Sequence, residues 1–283
     1  MTRPRLLMCP PAHFDVRYSI NPWMRNGVAV ERERALRQWQ ALRVVVAHYA
    51  RVLTIEADPD LPDMCFTANA GLVAGDAFIA SRFRHAERRG EELRFTRWFA
   101  ANGYRCLQLP DDVVFEGAGD AVFDPGGRLW VGHGQRTERA AVTALRDVLG
   151  ADVVPLHLVD ERFYHLDTAF CPLANGRVLY YPEAFDAASR ELIEQAWPVE
   201  RRIAVDGADA ALFACNAINL GTHLLLSGAS RALRVRLALA GLHVQVVALG
   251  EFHKAGGSAR CLTLPLGSSA AIADGGPGVA SAA

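Results

Sequence analysis

The chain has 283 residues, 51% hydrophobic and 22% charged, and its 30 basic and 31 acidic side chains leave a formal net charge of -1 at pH 7. Such a chain can bury one large core or two modest ones, and its charge balance excludes the electrostatic footprint of a nucleic-acid or membrane-surface binder. No apolar run approaches the span of a bilayer and the first residues are too short of apolar length for a signal peptide, so the cytosol is expected, with homo-oligomerisation left open.

In chain order, apolar periodicity predicts a strand over Arg5–Met8, a helix near Val28–Tyr49 and a strand over Val52–Glu56. The segment NAGLVAGDAFIAS then reads as two short strands turning at Gly75-Asp76, followed by a helix over Glu87–Asn102 and an extended Tyr104–Leu109. DAVFDPGGRLWVG turns at Pro125-Gly126-Gly127 and leads into a helix over Thr137–Leu149 and a strand over Asp152–Leu158. AFCPLANGRVLYY carries the strongest hairpin signal, Asn175-Gly176, and precedes a helix over Asp186–Trp197 and a strand over Arg201–Val205. NAINLGTHLLLS precedes a helix near Ala229–Ala240 and a strand over His243–Leu249. Cys261–Leu266 supplies one more strand, which completes the N-terminal strand, helix and strand as a fifth copy, so the termini close a ring. Residues 267–283 are small, polar and Gly-rich and are expected to stay outside a single domain over 1–266.

Aligning the copies places Asn69, Asp120, Asp167, Asn216 and Arg260 at equivalent points, separated by 51, 47, 49 and 44 residues. A repeat of about 50 residues indicates a radial or stacked architecture rather than a doubly wound sheet. In a closed radial array equivalent positions converge on one axis. The residues at or beside these points include Glu116, His165 and Cys261, a poor set for a hydrophobic core, and such groups must satisfy one another or a ligand. The six cysteines stand singly, with no Cys-x-x-Cys pair and no neighbouring ligand spacing, so disulfides and a structural metal are not expected and most of the thiols read as core packing.

One thiol, one imidazole and several carboxyl and amide groups suit the task of holding a planar cation and attacking its central carbon. Guanidinium presents five N–H donors in a fixed fork, which carboxylates such as Asp167 and Glu116 match. Its carbon is a weak electrophile, for which a soft thiolate at Cys261 is better suited than a serine hydroxyl. His165 would protonate the departing amine and then activate water. Glu116 would either orient this histidine or bind substrate N–H groups.

The segments that carry these residues, FEGAGDAVF (115–123), YHLDTAFCPL (164–173) and AGGSARCLTLPL (255–266), together with MCPPAHFDVRYSINPWM (8–24), resemble the guanidino-group modifying enzymes of the pentein fold. That superfamily includes arginine deiminase, dimethylarginine dimethylaminohydrolase and the glycine amidinotransferases. The resemblance implies an α/β fold, a five-bladed α/β propeller with the site at its axis, with Cys261 as nucleophile, His165 and Glu116 as partners, and no cofactor. FTANAG (66–71), HAER (85–88) and GHGQRT (132–137) point more narrowly to the arginine dihydrolase type, which takes arginine to ornithine with release of carbon dioxide and two ammonia. Where deiminase-like relatives carry a guanidine-binding aspartate, six residues after an Asp like Asp63, this chain has Asn69. An amide both accepts and donates, so it can hold arginine and the neutral ureido group of citrulline. The same resemblance implies Arg88 and Arg136 as a clamp for the substrate carboxylate, Asn21 in the pocket wall, and Asp63 and Asp120 among the substrate contacts.

Four functions follow in order: the dihydrolase; a one-step hydrolase giving citrulline from arginine or methylated arginine; an amidinotransferase, which would need to exclude water; and a non-enzymatic ribosomal-subunit binding factor of the same fold. A scaffold has no need of Cys261, His165 and Glu116 together.

Overall fold

The protein is described by a computed structural model covering residues 3–25 and 28–267, so most of the expected tail, residues 268–283, lies outside the described residues. The chain opens with β1 (Arg5–Met8), α1 (Arg32–Tyr49) and β2 (Arg51–Thr54). Next come β3 (Gly71–Ala74), β4 (Ala77–Ala80), α2 (Gly90–Ala101) and β5 (Arg105–Leu107). A short α3 (Gly117–Asp120) leads into β6 (Ala121–Phe123), β7 (Leu129–His133), α4 (Ala140–Leu149) and β8 (Val153–His157). Then follow β9 (Phe170–Pro172), β10 (Val178–Tyr180), α5 (Ala187–Ala196) and β11 (Arg202–Ala204). The last elements are α6 (Gly207–Ala211), β12 (Ile218–Leu220), β13 (His223–Leu226), α7 (Arg231–Leu239), β14 (His243–Val246), α8 (Gly250–His253) and β15 (Leu264–Pro265).

These strands form five three-stranded sheets, ordered β15-β1-β2, β3-β4-β5, β6-β7-β8, β9-β10-β11 and β12-β13-β14. Each joins an antiparallel pair to a third strand that runs parallel to the middle one. That is the expected five-fold α/β repeat, and Leu7 opposite Leu264 joins the two ends of the chain in one sheet. Three hairpins turn where the sequence predicts, with Gly75, Gly127 and Gly176 at positive φ, the conformation that favours glycine, and the fourth turns at Gly221, also at positive φ.

Helices pack by an apolar stripe: α1 buries Ala35, Trp39, Leu42 and Val46, spaced by alternating threes and fours. Each large apolar side chain so buried contributes about 1.5–3 kcal/mol of transfer free energy. Asp186 and Ser230 cap α5 and α7 by accepting the Ser189 and Leu233 N–H groups at 2.8 and 3.1 Å.

Three helices start three or more residues later than expected. α1 begins at Arg32 rather than Val28, with no side-chain cap to hold an earlier start. α2 begins at Gly90 rather than Glu87, because Ala86–Arg88 forms a 3₁₀ turn that carries Arg88 into the interior. α4 begins at Ala140 rather than Thr137, whose hydroxyl is bound to Asp120. The strand expected from Cys261 starts at Leu264, since Leu262 and Thr263 turn back on Ser258 and Arg260.

The first strands of the hairpins, β3, β6, β9, β12 and β15, line a central cavity of 860 Å³. Just before each of them stands one of the aligned residues, and the repeats are tied together at that level. Phe115 exchanges backbone hydrogen bonds with Arg82, Leu166 N–H donates to Asp120, and Asn216 Nδ2 donates to the Asp167 carbonyl. Cys261 N–H donates to Asn216 Oδ1, and Ala68 N–H to the Cys261 carbonyl. The links return to the repeat where they began.

Candidate active site

Cys261 lies in a turn after α8 that begins at Gly256, where φ is +79° and an added Cβ would meet Tyr164, Trp23 and Asn21. The residue is 3% exposed. Its thiol points at Asp167 Oδ2 at 3.4 Å and receives the Asn216 amide N–H at 3.1 Å, while Asn216 Oδ1 accepts the backbone N–H groups of Arg260 and Cys261. Burial, reinforced by the Asp167 charge, pushes the thiol well above its ordinary range. Burial likewise raises Asp167 to about 7, against the opposing pull of Arg260. The free site therefore holds a protonated thiol beside a carboxyl group poised near neutrality.

His165 sits two residues before Asp167, with Nε2 2.7 Å from Glu116 Oε2 and Nδ1 3.3 Å from Asn69 Nδ2. Gly119 admits this approach, since a Cβ there would overlap Asn69 Nδ2. Glu116 is fully buried, which raises its pKa, but Arg136 and the His165 hydrogen bond outweigh burial and hold it well below the carboxylate range. Arg136 Nη1 donates to Glu116 Oε2 at 3.1 Å and Nη2 to the Ile20 carbonyl at 2.8 Å, and its guanidinium lies 4.6 Å from the Tyr164 ring centre. Of the two readings of Glu116, the geometry matches the one that orients histidine.

Arg88 is buried and bound through Nε and Nη2 to both oxygens of Glu91 at 2.8 Å, and its Nη1 donates to Asn69 Oδ1 at 2.9 Å. It and Arg136 both meet internal carboxylates, and the N–H groups left over on Arg136 are what a further carboxylate would engage. Asp63 accepts Tyr18 OH through Oδ2 at 2.9 Å, while its buried Oδ1 has no partner among the described residues. Asn21 holds its own loop, accepting from Trp23 and Met24 N–H and donating to the Ala255 carbonyl. Asp120 serves as a strut: it accepts Thr137 Oγ1 at 2.7 Å, Thr137 N–H at 3.3 Å and Leu166 N–H at 3.0 Å.

Ile20, Asn21, Met24, Asp63, Asn69, Arg88, Arg136 and Cys261 face one small cavity of 10 Å³, about the room of a single water. The larger central cavity is mostly apolar but takes in Asp167 and Arg260, whereas the thiol of Cys261 faces the small one together with Asp63, Asn69 and the two arginines, and His165 and Glu116 stand behind both walls. Among the described residues no group of three or more His, Cys, Asp or Glu side chains is placed to hold a metal ion, and no helix is long and apolar enough to cross a membrane. The other five cysteines are free, and four of them are buried.

Sequence reasoning assigned no role to Asn216 or Glu91. The first stands at an aligned repeat position, and the second lies three residues after Arg88, the spacing of facing side chains on a helix; both signals were present.

Residues 15–267 match the family described as N,N dimethylarginine dimethylhydrolase, eukaryotic. The bifunctional arginine dihydrolase/ornithine cyclodeaminase ArgZ of Synechocystis sp. is 50% identical over 92% of this chain, which spans only 37% of that relative's length. The N(G),N(G)-dimethylarginine dimethylaminohydrolase of Mycobacterium tuberculosis is 40% identical over 93% of this chain and 85% of its own. Among solved structures, the substrate-bound N-terminal domain of ArgZ, an arginine dihydrolase from the ornithine-ammonia cycle in cyanobacteria, superposes with a TM-score of 0.92 at 49% identity, covering 93% of this chain and 98% of that domain. A variant of the same domain has been solved covalently bonded to a reaction intermediate. With the match running through every segment that carries the thiol, the imidazole and their partners, the chain belongs to the N,N dimethylarginine dimethylhydrolase family.

Proposed function

We propose that the chain hydrolyses the guanidino group of L-arginine through a covalent cysteine intermediate and continues through citrulline to ornithine, with residues 1–266 acting as one catalytic unit. The observation that carries this reading is the thiol of Cys261 beside Asp167, with the His165–Glu116 pair reached across Asn69, in a chain that matches nearly all of the N-terminal domain of ArgZ.

In the proposed first round, Asp167 accepts guanidinium N–H groups. The incoming cation favours ionisation of both Asp167 and Cys261: the carboxyl proton leaves to solvent and the thiol proton is taken up by the free lone pair of His165, which gives the thiolate and the acid of the next step together. Sulfur attacks the guanidine carbon, His165 protonates the departing ammonia, and a thiouronium ester of Cys261 remains. His165, held by Glu116, then takes a proton from water, which adds to the same carbon and displaces the thiolate to give citrulline. A second round on the ureido carbon releases another ammonia and a carbamate that loses carbon dioxide, so that arginine and two waters become ornithine, carbon dioxide and two ammonia. Arg136 and Arg88 are assigned to the substrate carboxylate, and the unpartnered Asp63 Oδ1 to its ammonium group. The cavity is too small for an amino acid, so entry requires its lining side chains to shift.

A second reading, hydrolysis of dimethylarginine to citrulline and dimethylamine, is favoured by the mycobacterial relative. Mass spectrometry of the products from arginine and from dimethylarginine separates the two: citrulline that accumulates without conversion removes the dihydrolase. Asn69→Asp is expected to stop the enzyme at citrulline, because a carboxylate has no donor for the ureido oxygen. Unchanged ornithine output from that variant refutes the role given to the amide.

A further inference from the structure

Arginine donates hydrogen bonds and accepts none. The contact from Arg88 Nη1 therefore fixes Asn69 Oδ1 as its acceptor, which leaves Asn69 Nδ2 facing His165 Nδ1. Since Nδ2 is a donor, His165 Nδ1 carries the lone pair and its proton resides on Nε2, toward Glu116 Oε2. The direction of every hydrogen bond along Arg88, Asn69, His165 and Glu116 thus depends on Arg88 being held in place. What holds it is Glu91, a residue 1% exposed whose two oxygens bind Nε and Nη2 in a bidentate fork.

We infer that Glu91 is a positioning residue that sets the specificity of the second hydrolytic round, by locking Arg88 so that Asn69 presents only N–H donors to the substrate and to His165. The inference rests on the dihydrolase reading. Guanidinium is all donor and is served by Asp167, whereas the ureido group of citrulline adds an oxygen that needs a donor, and the second N–H of Asn69 Nδ2 supplies it. An amide released from Arg88 could flip, present its oxygen to His165 Nδ1 and require a proton there, which removes the lone pair that must accept the proton from water.

Glu91 stands on α2, does not line the cavity and touches no reacting atom. Its carboxyl is raised to about 7 by burial, against the pull of Arg88, consistent with a group kept there for its contact rather than for the comfort of its charge.

The test is Glu91→Gln, which keeps the shape but places an amide N–H against an Arg88 N–H. Wild type and variant are given arginine, and separately citrulline, and ammonia, citrulline and ornithine are followed together. The ratio of ornithine to citrulline formed from arginine is expected to fall about tenfold or more, while first-round ammonia release changes less. A purely structural role lowers both rounds in proportion, so an unchanged ratio in the variant overturns the inference while leaving the dihydrolase reading intact. Wild type that makes no ornithine overturns that reading and this inference together. Should the variant fail to fold, ¹⁵N NMR of the His165 imidazole in the wild-type protein decides: an Nε2–H tautomer supports the inference, and an Nδ1–H tautomer in the free enzyme overturns it.

Discussion

Replacing Cys261 by alanine is expected to lower arginine turnover by at least about 10⁴-fold, because the variant has no atom with which to form the covalent intermediate and the remaining groups only bind and orient. The same change leaves the fold standing. Asn216 keeps its bonds to the Arg260 N–H and the Asp167 carbonyl, and alanine retains the Cys261 N–H that Asn216 Oδ1 accepts. Acid-quenched wild type mixed with arginine should show, by intact-protein mass spectrometry, an adduct that peptide mapping places on the segment containing Cys261. The alanine variant should show none. Turnover within about tenfold of wild type in the folded variant would remove the nucleophile and, with it, the chemical scheme.

Replacing Asp167 by asparagine should move activity and stability in opposite directions. Asp167 is the carboxylate nearest the thiol, and its loss removes both the acceptor for guanidinium and the charge that draws the cation to the sulfur, for an expected fall in kcat/KM of about 10³-fold. The folded protein raises this carboxyl from 3.8 to about 7. Between those values the unfolded chain has released a proton that the folded protein still holds, so stability declines as pH rises through that window, and the cost is complete above it. At about 1.4 kcal/mol for each pH unit, that penalty is on the order of 4 kcal/mol. Asparagine abolishes it. The variant's melting temperature is expected to exceed that of wild type near pH 8, with the difference vanishing near pH 4, where both chains carry a neutral side chain. A difference that is independent of pH, or of the opposite sign near pH 8, would contradict the assignment. In the wild-type enzyme the same group is expected to make kcat/KM for arginine increase with pH through about 7, as the form proposed to bind the cation becomes ionised.

Asp120, raised to about 6 by burial, and Glu91 pull stability in the same direction as Asp167, whereas Glu116, held low by Arg136 and His165, pulls the other way. Around the site the fold thus keeps several buried carboxyls that are uncomfortable when ionised and one that is strongly stabilised. The second kind suits a group that orients a histidine at every working pH; the first suits one that must answer to an arriving cation.

The repeat was legible because its signals are local. Turns at Gly75, Gly127 and Gly176 declare themselves through residues that tolerate positive φ, and the alternation of apolar residues marks the strands on either side. Once the period is recognised, the equivalence of Asn69, Asp120, Asp167, Asn216 and the Arg260-Cys261 pair follows, and with it the expectation that polar groups meet at one level. Helix starts were less legible. Val28, Glu87 and Thr137 continue an apolar or polar rhythm, yet the backbone ahead of Arg32, Gly90 and Ala140 is held by contacts from elsewhere in the chain, such as those that bring Arg88 inward.

The sequence by itself therefore determined the architecture and the cast of the site, since both depend on residue type and spacing. Partnership was decided only by the tertiary structure. Nothing in the spacing distinguishes Asp120, whose oxygens serve Thr137 and Leu166, from Asp167, whose oxygen faces a thiol, or shows that Arg88 meets Glu91 and Asn69 before any substrate arrives. A hydrogen bond is made or lost over a few tenths of an ångström, and those displacements are set by how separate repeats pack against one another, a sum over many distant contacts that no local pattern records.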